Sequence, residues 1–168
     1  MSPKFRRGIL GFGVLLLLAL LQVTIVPLLG VGDVLPSVLL IGVVFVSLRE
    51  GQLTAMLTAF PAGLLADAYL SGVVGISSLG LTLTAFATGY FHDEEKASLL
   101  IRGPKAIVIT FGGALLYHVV YLFAYFRSLD LNILGMIGMH VIGASVYTTL
   151  LSVIPVLLLA RRTPRLKV

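Results

Sequence analysis

The chain has 168 residues, of which 58% are hydrophobic and 11% charged, with a net charge of +5 and a mean hydropathy of +1.09. A soluble core of this size has no room for so many apolar side chains, so the composition excludes an ordinary soluble domain and indicates an integral membrane protein. Cysteine is absent, which excludes disulfide frameworks, thiolate nucleophiles and cysteine metal sites.

Six apolar segments follow one another along the chain. Each is close to the length of roughly 20 residues that a helix needs to cross about 30 Å of hydrocarbon, and none has the alternation of a barrel strand. The first is preceded by basic residues, as in a signal peptide, but its apolar run is too long and no small-x-small cleavage site follows, which predicts a retained span. We therefore predict an all-α integral membrane protein, a six-transmembrane-helix bundle forming a single transmembrane domain over residues 1–168. The predicted spans are about 9–28, 34–49, 51–70, 73–91, 106–126 and 133–160.

The basic residues predict the orientation of this bundle. With six spans, Arg127 lies on one side, and all other basic residues lie on the opposite side: Lys4, Arg6, Arg7, Arg49, Lys96, Arg102, Lys105, Arg161, Arg162, Arg165 and Lys167. Short loops rich in Lys and Arg stay in the cytoplasm, so both termini are predicted to be cytoplasmic. Orientation and contact with anionic lipid of the bilayer account for the positive charge, so no nucleic acid is predicted as a partner.

The third segment carries small residues at every fourth position and ends in a carboxylate within an apolar run. On a helix, Ala55, Ala59, Gly63 and Asp67 share one face, because residues four apart stack above one another. We call these four residues the small-residue seam. Such a face permits close helix approach, so we predict a partner-binding seam, with packing against another helix of the same chain as the alternative.

Two histidines form a candidate polar cluster. His118 and His140 are predicted at similar depth in the outer half of the bilayer, on neighbouring antiparallel helices. Tyr117, Tyr121 and Tyr147 are near enough in sequence to hydrogen-bond a buried neutral histidine, which is the structural interpretation. A proton relay or a ligand pocket is the alternative.

The sequence contains no group of residues that converges on a reaction centre. In the run from His92 to Glu95, consecutive side chains diverge around a helix and do not face one metal ion. Asp33, Asp67 and Asp130, the acidic residues toward the outer side, do not form the paired pattern of a membrane aspartyl peptidase. We therefore predict no catalytic residue, no metal site and no cofactor.

Several short motifs occur in a recognisable order. The order is Gln22-Val-Thr24-Ile-Val-Pro27, then Pro36 opening an apolar run, then Leu48-Arg49-Glu50-Gly51, then Gly63-Leu-Leu-Ala-Asp67 followed by Gly75 and Leu79. Over about the first half of the chain this order resembles the rod shape-determining protein MreD family. Ser37 departs from the pattern, since an acidic residue is expected after the proline. Beyond the fourth span only the hydropathy is similar.

The resemblance implies a non-enzymatic scaffold subunit of the bacterial cell-elongation machinery, which controls rod shape and peptidoglycan synthesis at the cytoplasmic (inner) membrane. The implied partner is MreC, a single-span membrane protein, and through it the MreB filament and the peptidoglycan synthases. The family is also similar in fold to the substrate-binding subunits of energy-coupling-factor transporters. Binding a vitamin or another small molecule is therefore the alternative function. A docking face of alanines on the first helix would favour it, and the first segment contains only Ala19.

Overall fold

The computed structural model describes residues 3–30, 34–69, 74–125 and 137–161. Within these ranges the chain is helical and contains no β-strand, which confirms the all-α prediction. The helices are α1 (Pro3–Thr24), α2 (Val38–Glu50), α3 (Gln52–Tyr69), α4 (Ile76–Gly89), α5 (Ala97–Leu100), α6 (Pro104–Tyr125) and α7 (Ala144–Arg161). A short 3₁₀ segment, Val26–Leu29, follows α1, and a π segment, Ile137–Gly143, leads into α7.

Each of the six longer helices overlaps one of the six predicted apolar segments, although α1 begins at Pro3 and α7 begins only at Ala144. Helix α5 lies in the connection between the fourth and fifth segments and is not predicted. Two stretches are long and apolar enough to cross a membrane, Pro104–Phe123 in α6 and His140–Arg161, which includes α7. Leu10–Thr24 and Ile76–Gly89 are shorter apolar helices.

Helix α2 is the centre of the bundle and contacts α1, α3, α4, α6 and α7. Its sequence between Ser37 and Arg49 is almost entirely apolar, so it is suited to burial on every side. The Ser37 hydroxyl accepts a hydrogen bond from the Leu40 amide at 3.3 Å and so caps the first turn. Gly51 ends the helix with φ at +86°, a left-handed conformation that favours glycine, and α3 begins at the next residue.

Helices α3 and α4 are antiparallel and touch backbone to backbone at two glycines. A Cβ atom on Gly63 would lie 2.6 Å from the Cα of Ser78, and one on Gly89 would lie 2.7 Å from the Cα of Gln52. The start of α3 therefore meets the end of α4. Glycine at both points removes the side chain that would hold the helices apart.

The outer surface of the bundle is apolar, unlike that of a soluble domain, and its largely apolar core also contains buried hydroxyl groups. Leu53, Val108 and Phe123 on its outer surface are 72%, 70% and 74% exposed. Its interior instead contains hydroxyl groups that are fully buried, on Ser47, Ser78, Thr84, Thr110, Ser145, Thr148 and Ser152. The hydroxyls are satisfied locally or across helices; Ser47 and Thr88, for example, lie 2.7 Å apart between α2 and α4. An apolar exterior over a hydroxyl-containing interior is the arrangement expected in lipid.

Every Lys and Arg of the described ranges lies at one end of the bundle, which we call the basic end. Helix α1 begins there, because Gly8 faces Thr54 in the first turn of α3. His92, after α4, contacts the carbonyl of Leu48 near the end of α2 at 2.8 Å. Near the start of α7, Tyr147 contacts Leu29 at the opposite end, so α7 runs toward the basic end. The Lys and Arg residues at the basic end are Lys4, Arg6, Arg7, Arg49, Lys96, Arg102, Lys105 and Arg161.

Candidate functional site

The small-residue seam is buried within the chain, and two of its members, Gly63 and Asp67, contact α4 or the turn before it. Ala55 and Ala59 are fully buried and Asp67 is 6% exposed. Gly63 is pressed against the backbone of Ser78, and the Ser78 hydroxyl donates to the carbonyl of Phe60 at 2.9 Å. The seam is thus occupied by intramolecular packing, and the surface predicted for a partner is not open to one in this conformation. Periodicity alone places these residues on one face but does not say which helix covers it.

Asp67 binds the first backbone amides of α4. Its carboxylate accepts hydrogen bonds from the amides of Gly75 at 2.9 Å, Ser77 at 3.2 Å and Ser78 at 3.3 Å. These amides have no partner within their own helix, and the positive end of the helix dipole favours a negative charge there. Gly75, with φ at +103°, turns the chain into α4. Asp67 therefore acts as a cap supplied from the neighbouring helix.

Gln22 likewise caps the start of α2 from a neighbouring helix. Its side-chain oxygen accepts from the amides of Val38 at 2.8 Å and Leu39 at 3.2 Å, and its amide nitrogen donates to the carbonyl of Pro36 at 3.1 Å. Near this end, the Ser37 amide donates to the hydroxyl of Thr148 on α7 at 3.0 Å. Gln22, which begins the resemblance motif, thus joins α1 to the start of α2.

His118 is bonded within the bundle. Its Nδ1 lies 2.7 Å from the carbonyl oxygen of Ala114 and 3.2 Å from the hydroxyl of Ser145 on α7. The ring of Tyr117 packs edge-on against it with the centroids 5.1 Å apart. The polar partner that joins α6 to α7 is therefore Ser145, which the sequence analysis does not single out.

His140 and Tyr147 have separate surroundings. The side chain of His140 is exposed, whereas His118 is partly buried. Tyr147 donates its hydroxyl to the carbonyl of Leu29 at 2.8 Å instead of bonding a histidine. His118 therefore bonds Ala114 and Ser145, and within the described ranges no hydrogen bond joins it to His140.

The run from His92 to Glu95 forms a turn at the basic end. His92 Nδ1 contacts Leu48, and Asp93 accepts from the amides of Glu95 at 3.0 Å and Lys96 at 3.3 Å. Desolvation alone would raise the pKa of Asp93, but these amides and the Lys96 ammonium outweigh it and hold the pKa below its usual value. Among the described residues, no three His, Cys, Asp or Glu side chains are grouped to hold a metal ion.

An apolar groove, which the sequence analysis does not predict, lies over α2. We call it the α2 groove; its volume is about 540 Å³. Its walls come from α1, through residues between Leu10 and Leu18, and from α7, through residues between Leu151 and Leu159. The lining residues on α2 are Val38, Ile41, Gly42, Phe45, Val46, Arg49 and Glu50.

The α2 groove is polar only at the basic end. Arg49 and Glu50 line it there together with Ile101, which follows α5. Arg49 Nε lies 3.3 Å from Glu50 Oε1; the Arg49 side chain is 64% exposed and that of Glu50 only 13%. The guanidinium is thus presented at the mouth of the groove, while the carboxylate is largely covered.

Comparison of the chain with protein-family models, with curated proteins and with solved structures found no match. Within the structure itself, two residues of the motifs in the sequence, Gln22 and Asp67, bond the starts of α2 and α4.

Proposed function

We propose that this chain is a non-enzymatic scaffold subunit of the bacterial inner membrane, a six-span bundle with both termini in the cytoplasm. It belongs in this proposal to the cell-elongation machinery and resembles the MreD family, with a fold similar to the substrate-binding subunits of energy-coupling-factor transporters. Its partner is MreC, and through MreC it acts with MreB and the peptidoglycan synthases.

The observation that carries the proposal is the apolar outer surface of the bundle, together with hydroxyls buried in its core and basic residues at one end. Lipid as the solvent accounts for the first two features, and the attraction of basic residues to the cytoplasmic side accounts for the third. The placement of Gln22 and Asp67 adds support, because these motif residues hold the starts of α2 and α4. The resemblance thus includes residues that position whole helices.

The lengths of α2 and α4 are compatible with six spans. Their 13 and 14 residues rise roughly 20 Å, less than the roughly 30 Å of a hydrocarbon core. Helix α2 is surrounded by other helices, so its ends contact protein as well as lipid. Irregular backbone at membrane depth is tolerated where protein covers it, and local thinning of the bilayer accommodates the remainder.

The transporter alternative requires a pocket with polar groups that fix a vitamin. The α2 groove offers Arg49 and Glu50 at one end and apolar side chains elsewhere. Small-molecule sites usually combine an apolar lining with several converging polar groups. The groove is therefore better suited to a hydrocarbon chain than to a polar ligand.

Depletion of the protein in its host tests the two functions together. We expect cells to lose their rod shape and become wider, with vitamin uptake unchanged, and we expect MreC to copurify with the tagged full-length chain. Cells that remain rods but take up a vitamin poorly would contradict the scaffold and support the transporter subunit.

A further inference from the structure

We infer that the α2 groove binds one acyl chain of an anionic phospholipid from the inner leaflet, with the lipid phosphate at Arg49. The inference rests on the membrane orientation in the proposed function, which places the basic end at the cytoplasmic surface. It does not depend on the role in cell elongation.

The length of the groove fits one leaflet. The groove rises about 12 Å along its walls, from Leu10 to Leu18 on α1 and from Leu151 to Leu159 on α7, and about 18 Å along α2, from Val38 to Glu50. Half of the hydrocarbon core is about 15 Å deep. A groove of this length that starts at the basic end has room for an acyl chain of one leaflet. A membrane-spanning helix crosses about 30 Å of hydrocarbon and would extend well beyond the groove.

The charge at the mouth complements a phosphate. Arg49 lies at the end of α2, with its guanidinium largely exposed and only its Nε paired, to Glu50, among the described residues. The remaining guanidinium donors suit phosphate oxygens, which arginine binds with two parallel hydrogen bonds. Lys and Arg residues near the cytoplasmic surface also attract anionic lipid.

A second basic group lies close to the same end of the groove. Arg102 follows Ile101, which lines the groove, and its Nε is buried without a hydrogen-bond partner among the described residues. A buried donor without a partner is unfavourable. Both arginines lie at the end where the headgroup would sit, and together they outweigh the single covered carboxylate of Glu50. This excess of positive charge favours an anionic headgroup over a zwitterionic one.

Filling the α2 groove with a larger side chain tests whether an acyl chain occupies it. Ile154→Trp places a large side chain in the α7 wall, and Leu157→Trp is its matched control, because the two residues are 56% and 55% exposed on the same helix and only Ile154 lines the groove. The full-length protein, purified in mild detergent, is incubated with mixed phosphatidylglycerol and phosphatidylethanolamine vesicles, re-isolated, and its bound lipid measured by native mass spectrometry. We expect phosphatidylglycerol on the unmodified chain and on Leu157→Trp, and its loss from Ile154→Trp.

Removing the guanidinium of Arg49 tests whether it binds the lipid phosphate. Arg49→Gln is compared with Lys96→Gln, since both side chains are about two-thirds exposed at the basic end and Lys96 does not line the groove. We expect Arg49→Gln to weaken phosphatidylglycerol binding about tenfold, the effect of losing hydrogen bonds to a charged group. Lys96→Gln should bind as the unmodified chain does.

Other outcomes would overturn the inference. Equal loss from Ile154→Trp and Leu157→Trp would indicate lipid on the outer surface only, and equal binding of both lipids would remove the role of Arg49. If Ile154→Trp kept its lipid but lost its single-span partner, the occupant of the groove would be a helix.

The inference and the proposed function can fail separately. If the protein binds lipid as expected but its depletion leaves cell shape unchanged, the proposed function is refuted and the lipid site is supported.

Discussion

Asp67 and Gln22 each bring a side-chain acceptor to the first amides of a helix that begins elsewhere in the chain. A buried amide without an acceptor is unfavourable, so each of these side chains stabilises the start of the helix that it caps. The sequence predicts that Asp67 lies near the outer interface, and the structure places it at the end opposite the basic end. The identity of its partners is not predictable from the sequence, because it depends on how α4 packs.

Replacement of Asp67 measures this cap. Asp67→Ala leaves the amides of Gly75, Ser77 and Ser78 without their acceptor, and we expect the free energy of unfolding in detergent to fall by about 1–3 kcal/mol. Glu95→Ala, at an exposed position of the basic end, should change it by less than about 0.5 kcal/mol. An Asp67→Ala protein as stable as the control, but unable to support rod shape, would make Asp67 a functional residue.

The two histidines are expected to behave differently when replaced. His118→Phe loses the contacts with Ala114 and Ser145 and should cost about 1 kcal/mol, a typical value for polar contacts between membrane helices. His140→Phe changes an exposed side chain and should have little effect on unfolding. The double variant should still support rod shape. Rounded cells with normal amounts of the double variant would instead indicate a proton relay or a ligand site.

At the level of elements, α3 and α4 touch backbone to backbone, with glycine at both points of contact. Small residues at every fourth position predict that α3 packs closely along one face, and that part is visible in the sequence. Whether the face meets α4 or a partner is not visible, because both use the same residues.

Alanine at Gly63 tests the packing of α3 on α4. Its Cβ would lie 2.6 Å from the backbone of Ser78, so the two helices must move apart, and we expect a loss of about 1–3 kcal/mol in unfolding free energy with reduced accumulation in cells. Gly112→Ala is the control, because no atom lies within 4 Å of its Cβ position on α6. That variant should be neutral or slightly more stable. If Gly63→Ala were as stable as the unmodified chain but no longer copurified with MreC, this face of α3 would be a partner-binding surface.

For the whole molecule, the sequence predicts an all-α fold, which the described residues confirm, whereas the six membrane spans stay a prediction. It does not predict the α2 groove, because the apolar residues that line it resemble those that face lipid elsewhere on α1 and α7. Gly42 and Pro155 interrupt the apolar runs at the groove and are the available signal. The groove depends on the separation of α1 and α7 over α2, a property of the packing of all three helices.

The membrane topology is tested by reporters placed after Ala97 and after Leu129. Ala97 begins α5 at the basic end, and residue 129, outside the described ranges, follows α6, which starts at that end. One crossing separates the two positions, so we expect the reporter at 97 in the cytoplasm and the reporter at 129 outside, where Arg127 is the single basic residue. An odd number of spans would place Arg161, Arg162, Arg165 and Lys167 outside, against the charge bias. If both reporters were found on one side, α6 would not cross the membrane, and the six-span proposal would be wrong together with the inner-leaflet placement of the groove.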